Sequence, residues 1–204
     1  MAEDRKQKYA LRAMEVFKRD GLRMSLDEIA EKMGVTKKTL YNHFSSKEEL
    51  LGYCMQSFAG DLKESLGVMN SDSSDAITGL VIGVRRMGEI FHTLSPVFFF
   101  DLKKLYPEIA GAEHSTGFGS FLESITKNMK KGIKEKLFRP DLNVDLISQY
   151  FVYSMVSFFL NRVLVKADYP PAEYFRTVLD YHLNAIVTDN GREVRASLSH
   201  KKQS

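Results

Sequence analysis

Ser25-Leu-Asp-Glu-Ile-Ala-Glu-Lys-Met-Gly-Val-Thr-Lys-Lys-Thr-Leu-Tyr-Asn-His-Phe-Ser-Ser-Lys-Glu-Glu-Leu-Leu51 is the stretch from which the fold is read. It opens on a serine three residues ahead of a glutamate, Ser25 and Glu28. In that pairing hydroxyl and carboxylate each satisfy a backbone N–H that a helix start leaves without a partner. A helix beginning at Leu26 carries Ile29, Ala30 and Met33 inward and stops at Gly34, because glycine enters the left-handed conformation without a Cβ penalty. Val35 is then an apolar turn residue, and Thr36 is the N-cap of a helix from Lys37 to about His43. Leu40 and Phe44 share the inward side of that helix. Lys37, Lys38, Thr39, Tyr41, Asn42 and His43 are left on other faces or at the ends. Ser46 and Glu49 repeat the capping box and begin a longer helix through Leu50, Leu51, Met55 and Phe58 to about Met69.

Outward from this stretch the periodicity stays helical, and no segment alternates apolar with polar residues beside hairpin turns. An all-α chain is expected. A first helix, Asp4 to Arg19, sets Ala10, Ala13, Met14 and Phe17 at helical spacing and ends before Gly21. Asn70 to Asp75 is a polar linker ahead of a helix from Ala76 to His92. A short apolar helix follows around Pro96 to Leu105, with Pro107 and residues 111–119 interrupting the pattern. Phe121 to Leu137 is helical again and rich in exposed lysine, until Arg139-Pro140 breaks it. Val144 to Lys166 is apolar nearly all round and must be covered on most of its circumference. Pro170-Pro171 opens the last helix, which continues to Ile186. The reading divides the chain into an N-terminal unit, residues 1–48 with its motif at about 25–44, a helical body, residues 49–190, and a polar basic tail, residues 191–204, expected to be disordered.

The 204 residues are 44% hydrophobic and 27% charged, the balance of a folded chain rather than a collagenous or low-complexity one. One cysteine, Cys54, forms no internal disulfide and completes no thiolate metal site. The amino-terminal residues are charged from the third onward and lack the apolar stretch of a secretory signal, and the apolar run Tyr150 to Leu160 is too short to span a bilayer. A cytoplasmic protein without a membrane partner is expected. The net charge is +3, distributed as +2 over residues 1–50, −2 over 51–190 and +3 over 191–204. The informative detail is local: between Val35 and Ser46 the ionisable side chains include Lys37, Lys38 and His43 and no carboxylate.

Two short helices across a tight turn, the second capped and basic, match the helix-turn-helix arrangement whose second helix enters the DNA major groove. The string from Ser25 to Leu51, with Ile29-Ala30, Gly34-Val35, Leu40-Tyr41, Phe44 and Lys47-Glu48 in register, closely resembles the N-terminal domain of the tetracycline-repressor (TetR) family of bacterial transcriptional regulators. The resemblance implies a homodimer that reads a palindromic operator in double-stranded DNA. It also implies a divergent helical C-terminal domain that binds an inducer and dimerises. Thr36 combines its hydroxyl with free backbone N–H groups to hold a phosphate. Lys37, Lys38, Thr39 and Asn42 are the candidates for base edges, lysine favouring guanine acceptors and asparagine favouring adenine. Tyr41, His43 and Lys47 match family positions that touch the DNA backbone, with Ser25 reaching another phosphate. Lys38 departs from the family, where a small residue, commonly glycine, is frequent. Lysines solvated on an ordinary helical hairpin are the plainer reading, but capping, turn and the Tyr-Asn-His-Phe string coincide.

For the body, Phe58, Met87, Phe91, Phe98, Phe121, Tyr150, Tyr153 and Phe158 are candidates to line an apolar effector cavity, while core packing is the competing role for each. A small apolar or amphipathic effector suits such residues. His92, His114, His182 and Arg162 are possible polar anchors, but no histidine pair has helical metal-ligand spacing, so neither metal nor cofactor is expected. Gly117-Phe-Gly119 lacks the third glycine and the preceding strand of a dinucleotide loop. Cys54 reads as a small apolar filler. Dimerisation is expected through the two helices Val144–Lys166 and Pro171–Val187, whose apolar surface exceeds what one small bundle covers. The helix from Lys47 to Met69 is the natural lever between the two units. A repressor released by its ligand is the leading function. A DNA-binding adaptor or DNA-organising protein without an effector is the alternative, and an enzyme is disfavoured for want of a nucleophile–base pair or phosphate loop.

Overall fold

The computed structural model describes residues 2–111, 118–161 and 169–200. The described residues form helices throughout, with no strand beyond an isolated antiparallel bridge between Phe138 and Val187. The N-terminal unit is α1 (Ala2–Asp20), α2 (Leu26–Lys32) and α3 (Lys37–Tyr41), and α4 (Lys47–Gly67) leads from it into the body. There follow α5 (Ala76–His92), α6 (Pro96–Leu105), α7 (Pro107–Gly111), α8 (Phe118–Lys134), α9 (Val144–Asn161), α10 (Pro171–Ile186) and α11 (Asp189–His200). Pro107 therefore starts a helix where the sequence suggests only an interruption, as suits a residue whose missing N–H would be unpaired in the first turn anyway. None of the described helices is long and apolar enough to cross a membrane. Arg162, His114 and Gly117, and the end of the helix expected to reach Lys166, lie outside the described residues.

One hydrophobic core runs from Ala10 to Val187, with α4 and α5 at its centre: α4 packs on α1, α5 and α8, and α5 on α10 as well. Below α4 the chain tightens into a 3-10 turn at Val68–Asn70 that presses on α5. A Cβ at Gly79 would lie 2.6 Å from the Met69 carbonyl oxygen, so only glycine permits this approach. Buried Asn128 of α8 secures the same turn, its amide donating to the carbonyls of Met69 at 2.8 Å and Ala76 at 3.0 Å. The polar linker that follows is fastened in turn by Lys131, whose ammonium donates to the carbonyls of Ser71 and Ser74.

The tail expected to be disordered is instead helical as far as His200, and residues 201–204 lie outside the described residues. Thr188 supplies the reason. Its N–H donates to the Leu137 carbonyl at 2.9 Å, and its hydroxyl oxygen accepts the Gly191 N–H at 3.1 Å, giving α11 a fixed start. Val194 and Leu198, one turn apart, then pack against the core, and Arg195 pairs with Asp180 at 3.1 Å.

His182 of α10 is 5% exposed, stacks on Phe151 at 4.2 Å between ring centroids, and has no hydrogen-bond partner for Nε2 among the described residues. Burial pushes its pKa down from 6.5 to about 4.

This packing carries three predictions of stability. Gly79→Ala should cost about 1–3 kcal/mol by forcing Met69 and α5 apart. Gly60→Ala, on an open face of α4, should gain roughly 0.5–1 kcal/mol. Urea unfolding at constant m-value reads both. Because the unfolded imidazole takes up its proton before the folded one, His182 stabilises the fold fully above pH 6.5 and loses its contribution as the pH falls towards 4. About 3 kcal/mol of the acid-side loss of stability should therefore disappear in His182→Leu, measured as the difference between the two unfolding-versus-pH curves.

Candidate nucleic-acid interface

The motif is built by local bonds that the sequence dictates. Ser25 caps α2 reciprocally: its hydroxyl oxygen accepts the Glu28 N–H at 3.2 Å, while the Glu28 carboxylate accepts the Ser25 N–H at 2.7 Å. Gly34 turns the chain at φ +64°, and the Val35 N–H returns to the Ala30 carbonyl at 3.0 Å, closing the helix end. Thr36 then starts α3, accepting the Thr39 N–H at 3.1 Å, with the two threonine hydroxyls 2.7 Å apart. Leu40 and Phe44 are buried beneath. Phe44 meets the edge of Tyr53 of α4 at 5.7 Å.

Thr36, Lys37, Lys38, Tyr41 and Asn42 stand exposed around this anchor, with Thr39 and His43 half-buried beside them. The His43 ring rests on Tyr9 of α1 at 4.7 Å. The Lys37 ammonium is bonded to Asp27 of α2, which raises its pKa. Lys38 has no carboxylate partner among the described residues and is the unpaired cation of α3. Ser25 is exposed, but its hydroxyl donates to Glu28 at 2.8 Å. Lys47 is brought elsewhere: its ammonium donates to the Leu22 carbonyl and lies 5.3 Å from the Tyr106 ring centroid.

The sequence carries no signal for several residues that steady the motif. Arg12 of α1 donates to the Met33 carbonyl at the end of α2. Lys6 pairs with Glu49 at 2.8 Å and sits 4.8 Å above the Tyr53 ring. Lys6, with the Ser45 hydroxyl and N–H, holds the Glu49 carboxyl down to about 2. These contacts cross some forty and twenty positions in sequence, beyond any helical spacing.

In the body, Phe58, Met87, Phe91, Phe98 and Phe121 are buried and Phe158 is half-buried. Phe58 meets Phe91 edge-on at 6.4 Å, Phe91 lies 5.7 Å from Phe99, and Phe98 meets Phe99 at 5.3 Å, a connected aromatic cluster between α4, α5 and α6. Phe158 stacks on Tyr174 of α10 at 4.0 Å. Tyr150 and Tyr153 differ from the sequence expectation: at 64% and 54% exposed they lie on the outer side of α9, because Phe151, Val152 and Met155 take the inward side. His92 is exposed at the end of α5.

Residues 12–54 match the bacterial regulatory proteins of the tetR family. Across 150 residues the chain is 27% identical to the HTH-type transcriptional repressor KstR2 of Mycobacterium tuberculosis, covering 68% of this chain and 71% of that one. The solved structure of that organism's ketosteroid transcriptional regulator KstR2 superposes with a TM-score of 0.65 at 20% identity, over 91% of this chain and 96% of the other. A gamma-butyrolactone receptor superposes with a TM-score of 0.74 at 17% identity, over 98% and 96% of the two chains. Motif, longer sequence and whole fold are thus all similar to those of tetR-type transcriptional regulators, and residues 12–54 carry the motif of that family.

Proposed function

We propose that the protein is a repressor that holds a palindromic operator as a homodimer and leaves it when a small apolar or amphipathic molecule enters the helical body. The observation that carries the DNA half is the solvent face of α3, where Lys37, Lys38, Tyr41 and Asn42 surround a buried Leu40 and the helix itself carries no carboxylate. Lys38 and Lys37 suit the guanine acceptors O6 and N7, and the Asn42 amide suits the N6 and N7 edge of adenine, with Thr39 between them. Thr36, Tyr41, Ser25 and His43 supply backbone contacts that set register. Lys47 joins them only by leaving the Leu22 carbonyl.

Leu146, Tyr150 and Tyr153 form one exposed stripe on α9, at 60%, 64% and 54% exposure, and Tyr181 is exposed on α10. A second copy would bury this stripe, which supports dimerisation through these two helices. Two α3 helices so related would enter successive major grooves about 34 Å apart. The aromatic cluster around Phe58, Phe91 and Phe98, with Met87 and Phe121 in the same core, supports an apolar effector site. The names of a ketosteroid regulator and a gamma-butyrolactone receptor among similar proteins support a small-molecule effector. Release follows from linkage: the ligand weakens operator binding by its differential affinity for the two arrangements of the DNA-reading units.

Selection of bound duplexes from random DNA at near-physiological salt tests this reading. The wild type should enrich a palindrome. Lys38→Gly should relax one position in each half-site or lower the salt slope by about one, and Tyr41→Ala should weaken binding to all sequences alike. Salt-sensitive binding with no enriched palindrome would instead favour a DNA-organising adaptor.

A further inference from the structure

Asp101 of α6 is 1% exposed, yet it is a carboxylate, and burial of such a group is tolerated only when its oxygens are bonded. Both oxygens turn to the elbow between α1 and α2: Oδ1 accepts the Arg23 Nε–H at 3.0 Å and Oδ2 accepts the Leu22 N–H at 3.4 Å. Gly21, at φ +83°, brings the elbow so near that a Cβ there would lie 3.4 Å from Oδ2. The two ends of α6 grip the same region. Ser95, its N-cap, donates its N–H to the Lys18 carbonyl at 2.8 Å, and Tyr106, its C-cap, lies under the Lys47 ammonium that holds the Leu22 carbonyl. Two residues beyond Arg23 the chain enters the Ser25 cap of α2.

We propose that Asp101 is a positioning residue for DNA recognition: through Leu22 and Arg23 it fixes the angle at which the α2–α3 unit is held on the body. The role rests on the operator-binding reading above and adds to it the part that orients the reading face. Hydrogen bonds are directional, whereas the apolar packing along α4 tolerates sliding and tilt, so the grip on the elbow selects one orientation among those that α4 permits. Phe98, one turn before Asp101 and wholly buried, links the grip to the aromatic cluster.

Nitroxide labels at Glu31→Cys on α2 and Lys130→Cys on α8, both exposed positions, report this angle within one chain when labelled protein is diluted with unlabelled protein. Cys54 does not interfere, being buried with its thiol pushed up by desolvation. The wild type should show one narrow distance distribution. Asp101→Ala should broaden it, and Arg23→Gln, which removes only the exposed partner and leaves the core intact, should broaden it to a lesser degree. Asp101→Asn, which keeps an acceptor for the Leu22 N–H, should fall between the wild type and Asp101→Ala. Asp20→Ala, which breaks the ion pairs with Arg19 and Lys32, both confined to the N-terminal unit, should leave the distribution narrow. Affinity for the selected palindrome should fall about ten-fold in Asp101→Ala while affinity for random duplex stays within about two-fold, a loss within the ordinary range of coupling between sites. A wild-type distribution that is already broad, or distributions in Asp101→Ala and Arg23→Gln that match the wild type, would overturn the assignment. Failure of the wild type to enrich any palindrome would sink the operator reading alone, since the distance distributions judge the grip without DNA.

Discussion

The burial of Leu40 and Phe44 beneath α3 is the interaction on which the reading face depends. Five residues of helix do not hold themselves in water, because the first turn orders several dihedrals for one hydrogen bond. Each apolar anchor contributes about 1.5–3 kcal/mol when fully removed from solvent, enough to offset that ordering once Thr36 has capped the start. The two anchors also set rotation. With the side chains at i and i+4 both buried, Lys37, Lys38, Tyr41 and Asn42 have no face left but the solvent one.

The electrostatics of that face are modulated from α2. Asp27 and Glu28 in its first turn complement the helix dipole, and Asp27 at the same time holds the Lys37 ammonium. Both side chains of this pair are substantially exposed and solvent-screened, so it yields to a phosphate or a base that offers more. Asp27 therefore orders Lys37 in the absence of DNA without sequestering it. Lys38, which has no such partner among the described residues, is the cation whose role a substitution isolates.

What was legible in the sequence was local. The capping box at Ser25, the Gly34 turn and the spacing of Leu40 and Phe44 each span a few residues and are found in the fold, whereas at Ser46 only half of the expected box forms, because the Glu49 carboxylate turns to the Ser45 N–H and hydroxyl and to Lys6. The outward placement of Tyr150 and Tyr153 was not legible, because α9 is apolar on all sides and its periodicity selects no inward face. The tail was misjudged for the opposite reason: its charge conceals Val194 and Leu198, and the cap at Thr188 depends on Leu137, fifty positions earlier. Lys47 carries the right type at the right place for a phosphate contact, yet its direction is decided by the Leu22 carbonyl and Tyr106. No spacing rule reaches pairs so distant, and the same holds for Asp101 with Arg23.

The two attachments of the DNA-reading unit differ in kind, and the aromatic cluster touches both. α4 runs unbroken for 21 residues, about 30 Å at the helical rise, and buries Leu50, Leu51, Met55, Phe58, Leu62 and Leu66 along the way. Such a helix transmits tilt well, but its non-directional contacts fix orientation poorly. α6 reaches the unit through hydrogen bonds at the Lys18 carbonyl, the Leu22 N–H and the Arg23 guanidinium, which fix orientation at a point. Phe58 belongs to the first attachment and Phe98 and Phe99 to the second, with Phe91 of α5 between them. A group inserted beside Phe91 would displace α4 and α6 from each other. Because close-packed interiors respond to added volume by shifting whole elements, the displacement would appear at the elbow as a rotation of α2 and α3 and not as a local adjustment around the rings.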